Sequence, residues 1–289
     1  MSASAPDPSS KLCVLEELFA RLATQGRGAV APFVTAGDPD METSLAILEA
    51  VDRGGADICE LGVPYSDPIA DGPVIQSSYT RALAAGFTLE KLFALAAEAT
   101  RRVRMPILAM VSYSLVFRRG IERFVEEARA AGLAGFVVPD LPLEESDQLD
   151  AACRAAGLAL VRLVTPTTPP ERAEAIARRS TGFLYCVSIA GVTGARSALP
   201  EGLRERLTWL GERTNVPILV GFGISGPEQV RAVMAAADGA IVGSALVRQI
   251  EAVVGQPREA AAAAVERFVA GLVAASGREQ SAGLAGRPA

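Results

Sequence analysis

One stretch decides the fold: Ile218-Leu-Val-Gly-Phe-Gly-Ile-Ser-Gly-Pro-Glu-Gln-Val-Arg-Ala-Val-Met-Ala-Ala-Ala-Asp-Gly-Ala-Ile-Val242. Short apolar runs predict strands at Ile218–Val220 and Ala240–Val242, and the segment between them predicts a helix at Pro227–Ala236. Ser225-Gly-Pro-Glu228 combines an N-cap serine, a proline near the first helical position and a glutamate three residues after the serine. A strand, a helix and a strand of these lengths form a βαβ unit, which places two parallel strands in one sheet.

The same alternation runs along the rest of the chain. Further strands are predicted at Val30–Thr35, Asp57–Leu61, Pro106–Met110, Gly135–Val138, Ala159–Leu163 and Phe183–Val187. Helices are predicted at Met41–Asp52, where Asp38-Pro-Asp40 supplies a cap, and at Ile121–Ala131, Glu144–Ala156 and Pro170–Arg179. Eight βα units are typical of an α/β protein with a single (β/α)8 TIM barrel. An open doubly wound sheet is the alternative, and the count of eight and the absence of an early GxGxxG favour the barrel.

The ends of the chain predict an added helix and two tails. An extra N-terminal helix, at about Leu12–Thr24, is expected to cap the bottom of a barrel domain that spans residues 11–276. Residues 1–10 are polar and rich in proline and serine, and they lack the basic and apolar regions of a secretory signal. They predict a disordered tail, as do the small and polar residues 277–289.

Composition excludes several classes of function. The chain has 289 residues, 50% of them hydrophobic, and a net charge of −5. This charge indicates no nucleic acid or anionic membrane as a partner, and no apolar run is long enough to span a membrane. Cys13, Cys59, Cys153 and Cys186 show no CxxC spacing, which predicts free thiols and a cytoplasmic location.

Two absences narrow the chemistry further. The sequence contains no histidine, so it has no Ser-His-Asp catalytic triad, no Cys-His catalytic dyad and no imidazole for a zinc site. Its two lysines, Lys11 and Lys91, do not follow predicted strands, so no lysine is well placed for a Schiff base. We therefore expect no metal and no cofactor, and we assign catalysis to carboxylates, hydroxyls, arginines and backbone dipoles.

Three carboxylates lie between a predicted strand and a predicted helix. Glu60 ends the strand, Asp67 lies in the middle of a loop rich in proline and glycine, and Asp71 lies at its far end. Acids at the carboxyl ends of strands face the ligand crevice of an α/β protein, so this arrangement indicates proton transfer. From the pattern alone, a strand-end surface acid and a turn-fixing loop acid remain equally good interpretations.

Glycines follow the last three predicted strands. They occur in Gly191-Val-Thr-Gly194, Gly221-Phe-Gly-Ile-Ser225 and Gly243-Ser244. Loops after strands seven and eight of a barrel often bind phosphate, because glycines and a helix N-terminus present backbone N–H groups to an anion. Ordinary turns are the alternative.

With these residues in view, the chain resembles the tryptophan synthase α subunit family, which includes stand-alone indole-3-glycerol-phosphate lyases. The resemblance extends from about Leu15 to Val254 and rests on Pro32–Pro39, Glu60–Gln76, Val138–Glu145, Gly191–Gly194, Val220–Ser225 and Ile241–Ser244. It implies retro-aldol cleavage of indole-3-glycerol phosphate to indole and glyceraldehyde 3-phosphate. Such cleavage needs a proton on the ring carbon and removal of one from the adjacent hydroxyl, and it needs no metal, Schiff base or redox cofactor.

The resemblance also implies roles for individual residues. Glu60 matches the family's acid/base residue, and its apolar neighbours predict a raised pKa. Asp71 matches the carboxylate that accepts a hydrogen bond from the indole N–H. Thr193 matches a mobile loop that closes over the substrate and meets this second carboxylate. Gly194, Gly223, Gly243 and Ser244 match phosphate contacts, and Phe33, Tyr185, Phe222 and Ile241 are expected to line the indole pocket. Ordinary barrel core is the alternative for each of these last four.

The chain departs from the family pattern after the third strand. Where the family usually carries Met-x-Tyr-x-Asn, this chain has Met110-Val-Ser-Tyr-Ser114, so Ser112 replaces the tyrosine and Ser114 the asparagine. Tyr113, one position along, is expected to point elsewhere, which predicts a wider or wetter indole pocket. The asparagine position and the Pro64–Pro68 loop, which contains Asp67, face the β subunit in the family, so coupling to a β partner is expected to be weaker. Asp140 is either a fold-stabilising acid or a group at the pocket edge.

Four hypotheses follow. The chain is an α subunit in tryptophan biosynthesis that passes indole to a pyridoxal-phosphate β subunit, or a stand-alone lyase that releases indole for specialised metabolism. A catalytically silent subunit that activates a β partner is a third reading, which the presence of both Glu60 and Asp71 opposes. Another phosphate-binding barrel, an epimerase or a lysine aldolase, is disfavoured because histidine is missing and the lysines are misplaced.

Overall fold

The computed structural model describes residues 11–69, 71–188, 199, 201–221 and 223–278, with side chains from Val14 onward. Its eight described strands are β1 (Ala29–Thr35), β2 (Cys59–Gly62), β3 (Ile107–Met110), β4 (Gly135–Val137), β5 (Ala159–Val164), β6 (Leu184–Val187), β7 (Ile218–Gly221) and β8 (Gly239–Val242). Every strand is parallel to the next, and β8 pairs with β1 from Ala29 opposite Gly239 to Pro32 opposite Val242. The sheet therefore closes into the expected (β/α)8 barrel, and the alternative of an open sheet is wrong.

Helices surround this barrel. In the described chain they are α1 (Lys11–Thr24), α2 (Met41–Arg53), α3 (Pro73–Ala84), α4 (Leu89–Arg102), α5 (Tyr113–Arg119), α6 (Ile121–Ala130), α7 (Asp147–Ala156), α8 (Pro170–Arg179), α9 (Glu201–Gly211), α10 (Pro227–Met234), α11 (Ser244–Glu251) and α12 (Arg258–Val273). The helix predicted at Glu144–Ala156 is divided into a 3-10 turn, Leu143–Glu145, and α7. The Ser146 hydroxyl donates to the Leu143 carbonyl at 2.7 Å, which closes the turn before α7 begins.

One predicted helix cap is confirmed and one is wrong. Asp40 caps α2, since its carboxylate accepts a hydrogen bond from the Thr43 N–H at 2.8 Å. The N-cap of α10 is Gly226 rather than Ser225, and it provides no side-chain hydrogen bond. Pro227 is the first residue of α10, so Ser225 lies one position too early to cap it.

The bottom of the barrel is closed by α1, as predicted. Leu15, Leu18 and Leu22 of this helix are buried in an interior cluster. The strand residues of that cluster are Ala29, Ala31, Ile58, Leu108, Val137, Ala159, Val161, Phe183, Tyr185, Leu219 and Ile241. The rings of Phe19 and Phe183 meet edge to face with centroids 6.3 Å apart. The opposite opening, ringed by the carboxyl ends of β1 to β8 and here called the mouth, is where barrel enzymes carry their sites.

The described chain also ends at the bottom. Gly277 pairs with Arg27, and the Arg278 N–H donates to the Gly26 carbonyl at 2.8 Å. The guanidinium of Arg278 also contacts Asp238 at 2.9 Å. Gly277 and Arg278, the first two residues of the tail predicted at 277–289, thus lie against the barrel, while residues 1–10 and 279–289 lie outside the described residues.

Cys59, Cys153 and Cys186 are buried free thiols, as predicted. Among the helices that the structure describes, none has both the length and the apolar character needed to cross a membrane.

Candidate active site

Glu60 lies inside the barrel. In the β-sheet it is opposite Phe33 of β1 and Leu108 of β3. Because side chains alternate along a strand, Glu60 faces the same way as Ile58, which belongs to the interior cluster. Its side chain is 0% exposed, and neither carboxyl oxygen has a hydrogen-bond partner among the described residues. The strand therefore holds a bare carboxyl group in an apolar interior.

This environment determines the protonation state of Glu60. Burial raises the pKa of its carboxyl from the ordinary value of 4.5 to about 8, because the ionised form loses its hydration. The raised pKa expected from its apolar neighbours is thus confirmed. At neutral pH the group is mostly protonated, so it can donate a proton to a substrate atom and then take one back.

Asp71 lies at the other end of the β2–α3 loop. Its N–H donates to the Pro68 carbonyl at 3.1 Å, and the Gln76 side-chain amide donates to the Asp71 carbonyl at 2.7 Å. These bonds tie the loop end to the first turn of α3. Burial raises the pKa of the half-buried Asp71 to about 6, so it remains mostly ionised at neutral pH.

Both acids affect the pKa of Tyr185. Burial raises the pKa of its hydroxyl, and the charges of Glu60 and then Asp71 raise it further. A phenol whose pKa responds to both charges lies within electrostatic range of both groups. At pH 7 Glu60 is thus mostly protonated and Asp71 mostly ionised, and such a divergence of two pKa values is typical of acid/base sites.

The residues predicted to line an indole pocket fall into two groups. Tyr185 and Ile241 are buried in the interior cluster, beneath the mouth. Phe33 belongs instead to a mouth cluster formed by Phe33, Ile75, Tyr79 and Val247, against which Tyr65, Val74 and Met110 pack. Phe33 therefore lies nearer the open end than Ile241 does, and Phe222 lies outside the described residues.

The predicted phosphate residues lie at the mouth as well. Gly223, after β7, is exposed and has a φ of +78°, a backbone conformation that other residues rarely adopt. Gly243 precedes α11, which begins at Ser244, and the first N–H groups of a helix have no intrahelical partner. A Cβ at Gly243 would lie 3.8 Å from the Phe33 Cβ, so this helix start borders the mouth cluster. Thr193 and Gly194 lie outside the described residues.

Two tyrosines of the site were missed from the sequence. The rings of Tyr65 and Tyr79 lie 5.8 Å apart, and the pKa of each hydroxyl is raised by burial and then by the charge of Asp71. The spacing of Ile75, Tyr79 and Ala82 on one face of α3 could have predicted that Tyr79 is buried.

The serines that depart from the family pattern are engaged in hydrogen bonds. The Ser112 hydroxyl donates to the Asp140 carboxylate at 2.7 Å and lies 2.8 Å from the Ser114 hydroxyl. Asp140 also accepts from the Tyr113 N–H at 2.8 Å, so it stabilises the start of α5. Of its two predicted roles, the structure supports the fold-stabilising one. Asp67, by contrast, is exposed and accepts a hydrogen bond from the neighbouring Ser66 hydroxyl.

A family model described as "Tryptophan synthase alpha chain" matches residues 19–276. The chain belongs to the tryptophan synthase alpha chain family. A family member from Rhodopirellula baltica is 50% identical over 239 residues, which cover 82% of this chain and 86% of that one. A member from Prochlorococcus marinus is 47% identical over 84% of this chain and 89% of its own length.

Solved structures agree with this assignment. Tryptophan synthase from M. tuberculosis superposes with a TM-score of 0.83 at 28% identity, over 94% of this chain and all of that chain. A mutant alpha subunit from Pyrococcus furiosus gives 0.77 at 38% identity, over 86% and 99% of the two chains. As a member of this family, the chain is a carbon–carbon lyase of tryptophan biosynthesis that cleaves indole-3-glycerol phosphate to indole and glyceraldehyde 3-phosphate.

Proposed function

We propose that this cleavage depends on Glu60 as the acid/base residue and on Asp71 as the partner of the indole nitrogen. The observation that carries the proposal is the Glu60 carboxyl group, which is fully buried, faces the barrel interior and has no hydrogen-bond partner among the described residues. An unpaired buried carboxyl costs stability, so its presence at a barrel mouth points to catalysis rather than to support of the fold.

Glu60 donates one proton and takes back one proton in each reaction cycle. Its protonated carboxyl delivers a proton to the indole ring carbon that carries the glycerol chain. The carboxylate so formed then removes the proton of the adjacent hydroxyl, while the carbon–carbon bond breaks and its electron pair returns to the ring. Indole and the aldehyde leave, and Glu60 is protonated again, as its pKa of about 8 favours at neutral pH.

Asp71 stabilises the cationic intermediate that forms between these two steps. Protonation of the ring carbon places positive charge on the indole nitrogen. An ionised carboxylate that accepts the N–H bond stabilises this charge more than it stabilises the neutral substrate, which is the requirement for lowering a barrier. With a pKa of about 6, Asp71 is mostly ionised at pH 7 while Glu60 is mostly protonated.

The remaining residues position the substrate. We assign its phosphate to Gly223 and to the start of α11 at Gly243 and Ser244, because Gly243 borders the mouth cluster and Gly223 follows β7 at the same end of the barrel. We assign the indole ring to the space between Phe33 and Tyr185, above Ile241. Phe222 is assigned to the same pocket, Gly194 to the phosphate and Thr193 to Asp71, each on the family pattern.

We also propose that the chain pairs with a β subunit, to which it passes indole. Ile69, in the β2–α3 loop, is 91% exposed, and Phe117, on α5, is 66% exposed. Both follow strands that end at the mouth, and exposed apolar side chains favour a protein interface. The replacement of asparagine by Ser114 on the same side predicts weaker coupling. A cytoplasmic location is proposed from the three buried free thiols.

Indole release from indole-3-glycerol phosphate, measured with and without a β subunit, tests this proposal. We expect the chain alone to release indole slowly, and we expect this rate to rise strongly when the β subunit is added. Fast turnover without any response to the β subunit would instead identify a stand-alone lyase, and no cleavage in either case would refute the proposed function.

A matched pair of variants tests the partner surface. Ile69→Asp places a charge in the proposed interface, and activation by the β subunit should then require at least tenfold more of it. Val14→Asp places the same charge at an exposed apolar site on α1, at the opposite end of the barrel, and should leave activation unchanged. Equal effects of the two substitutions would contradict this surface.

A further inference from the structure

Ser112 has a small side chain that carries no ring and is buried. It lies two residues beyond Met110, the last residue of β3, where the family pattern has a tyrosine. Its hydroxyl is held by Asp140 and Ser114. Tyr113 does not replace the missing ring, because it packs against the outer helical layer and its ring lies 6.1 Å from that of the exposed Phe117. The aromatic side of the pocket must come from elsewhere.

Tyr79 reaches the mouth from α3. Its side chain is 2% exposed and packs in the mouth cluster with Phe33 and with the partly buried Met110. Its hydroxyl would lie 3.1 Å from a Cβ placed on Gly62, the last residue of β2, so the hydroxyl end of the side chain reaches the end of that strand. Gly62 lies two residues beyond Glu60 on the same face of β2, about 7 Å further toward the mouth.

Tyr65 extends this aromatic surface toward Ser112. Its ring lies 5.8 Å from that of Tyr79 at an angle of 54°. After burial, the charges of Asp71 and then Asp140 raise the pKa of Tyr65, and Asp140 is the residue that binds Ser112. Tyr65, which packs on Tyr79, therefore lies within electrostatic range of Asp71 and of Asp140, the residue that binds Ser112.

We propose that Tyr79 is a specificity-determining residue, whose ring, backed by Tyr65, forms the side of the indole pocket that the residue at position 112 forms in the family pattern. This inference rests on the proposed function, since it assigns the ring to the indole of the same substrate. The hydroxyl of Tyr79 takes no part in the proposed chemistry: burial and then the charge of Asp71 raise its pKa and keep it neutral, and its flat ring supplies the contact.

Exchange of the ring between positions 79 and 112 tests the proposal. Tyr79→Phe keeps the ring and should change KM for indole-3-glycerol phosphate less than about twofold. Tyr79→Ala should raise KM about tenfold and change kcat less, because an apolar contact with the bound ring is lost. Ser112→Tyr should restore KM to within about threefold of the parent in the Tyr79→Ala chain and should raise it in the parent, where two rings compete for one space.

Two further variants distinguish an effect on the indole pocket from an effect on the stability of the fold. Phe93→Ala removes a half-buried ring on the outer side of the barrel, where it meets Phe124 with centroids 5.3 Å apart. It should lower Tm and leave KM unchanged. If Tyr79→Ala does not fold, Tyr79→Leu keeps apolar volume without the flat face. Tyr79→Leu should raise by at least threefold the ratio of kcat/KM for a substrate methylated on the benzene ring to kcat/KM for the unsubstituted substrate.

The outcomes distinguish this inference from the proposed function. A parent chain that does not cleave indole-3-glycerol phosphate refutes the proposed function itself. A parent that cleaves it, while Tyr79→Ala or Tyr79→Leu leaves KM and the substrate ratio unchanged, refutes the role of Tyr79 alone. An effect of Ser112→Tyr that is the same with and without Tyr79 also overturns the inference, because the two positions then do not share one space.

Discussion

Asp57 and Glu60 lie three residues apart, Asp57 just before β2 and Glu60 within it, and both are buried. At the bottom of the barrel, the Asp57 carboxylate accepts from the Val30 N–H at 3.0 Å and from the Arg27 guanidinium at 3.1 Å. Burial still raises its pKa, but the Val30 N–H and Arg27 oppose the increase. Toward the mouth, Glu60 has no such partner among the described residues, and its pKa reaches about 8.

The difference between these acids separates support of the fold from catalysis. A carboxylate that is paired and hydrogen-bonded holds its neighbours in place, and its ionised form belongs to the folded state. A bare carboxyl in an apolar interior stabilises nothing, yet it is neutral at physiological pH and can give up its proton. Exchanging each acid for its amide should therefore change stability and catalysis in opposite ways for Asp57 and Glu60.

The largest effect is expected from Glu60→Gln. The amide keeps the size of the side chain but cannot donate and recover a proton, so kcat for indole release should fall about 10³-fold or more, equivalent to about 4 kcal/mol. KM should change little, since the substrate contacts remain. Steady-state indole release with saturating substrate measures this. A Glu60→Gln chain with unchanged kcat would show that another group moves the proton.

The same substitution should make the protein more stable. Because the folded pKa of Glu60 is raised from 4.5 to about 8, its contribution to stability is intact below about pH 4.5 and is lost as the pH rises to about 8. At pH 7 the cost is about 3 kcal/mol. Urea unfolding should therefore show Glu60→Gln exceeding the parent by about that amount at pH 7 and matching it near pH 4. A difference that does not vary with pH would indicate that Glu60 is paired in solution.

Much of the fold and part of the site could be predicted from the sequence. The eight strands follow from short apolar runs between helical segments, whereas the loop pattern made Glu60 and Asp71 candidates and only the family resemblance gave them roles. The bare state of Glu60 could not be predicted, because it depends on what every neighbouring strand presents to the interior. The tyrosine pair at the mouth was missed for the same reason, since Tyr65 lies in a loop and Tyr79 on a helix, and only the packing of α3 over β1 and β2 brings them together.

Asp71→Asn tests the second acid of the mouth. An amide can still meet the indole N–H through its oxygen but carries no charge for the cationic intermediate, so kcat/KM should fall about 10²-fold, or about 3 kcal/mol. The parent needs Asp71 ionised and Glu60 protonated, so its kcat/KM should form a bell with limbs near the pKa values of about 6 and about 8. Asp71→Asn should lose the acid limb and keep the basic one. Survival of both limbs would assign the acid limb to another group.

Asp57→Asn should give the smallest effect and the opposite pattern. The amide leaves Arg27 without its buried counter-charge and weakens the bond to the Val30 N–H, so the free energy of unfolding should fall by about 2 kcal/mol. This is less than for a fully buried pair, because the Arg27 side chain is 27% exposed and also donates to the Ser276 hydroxyl at 3.1 Å. Indole release should keep the kcat and pH limbs of the parent, because the substitution lies at the closed end of the barrel. Loss of kcat in a folded Asp57→Asn chain would show that Asp57 and Glu60 are coupled, and the division between support of the fold and catalysis would then be wrong.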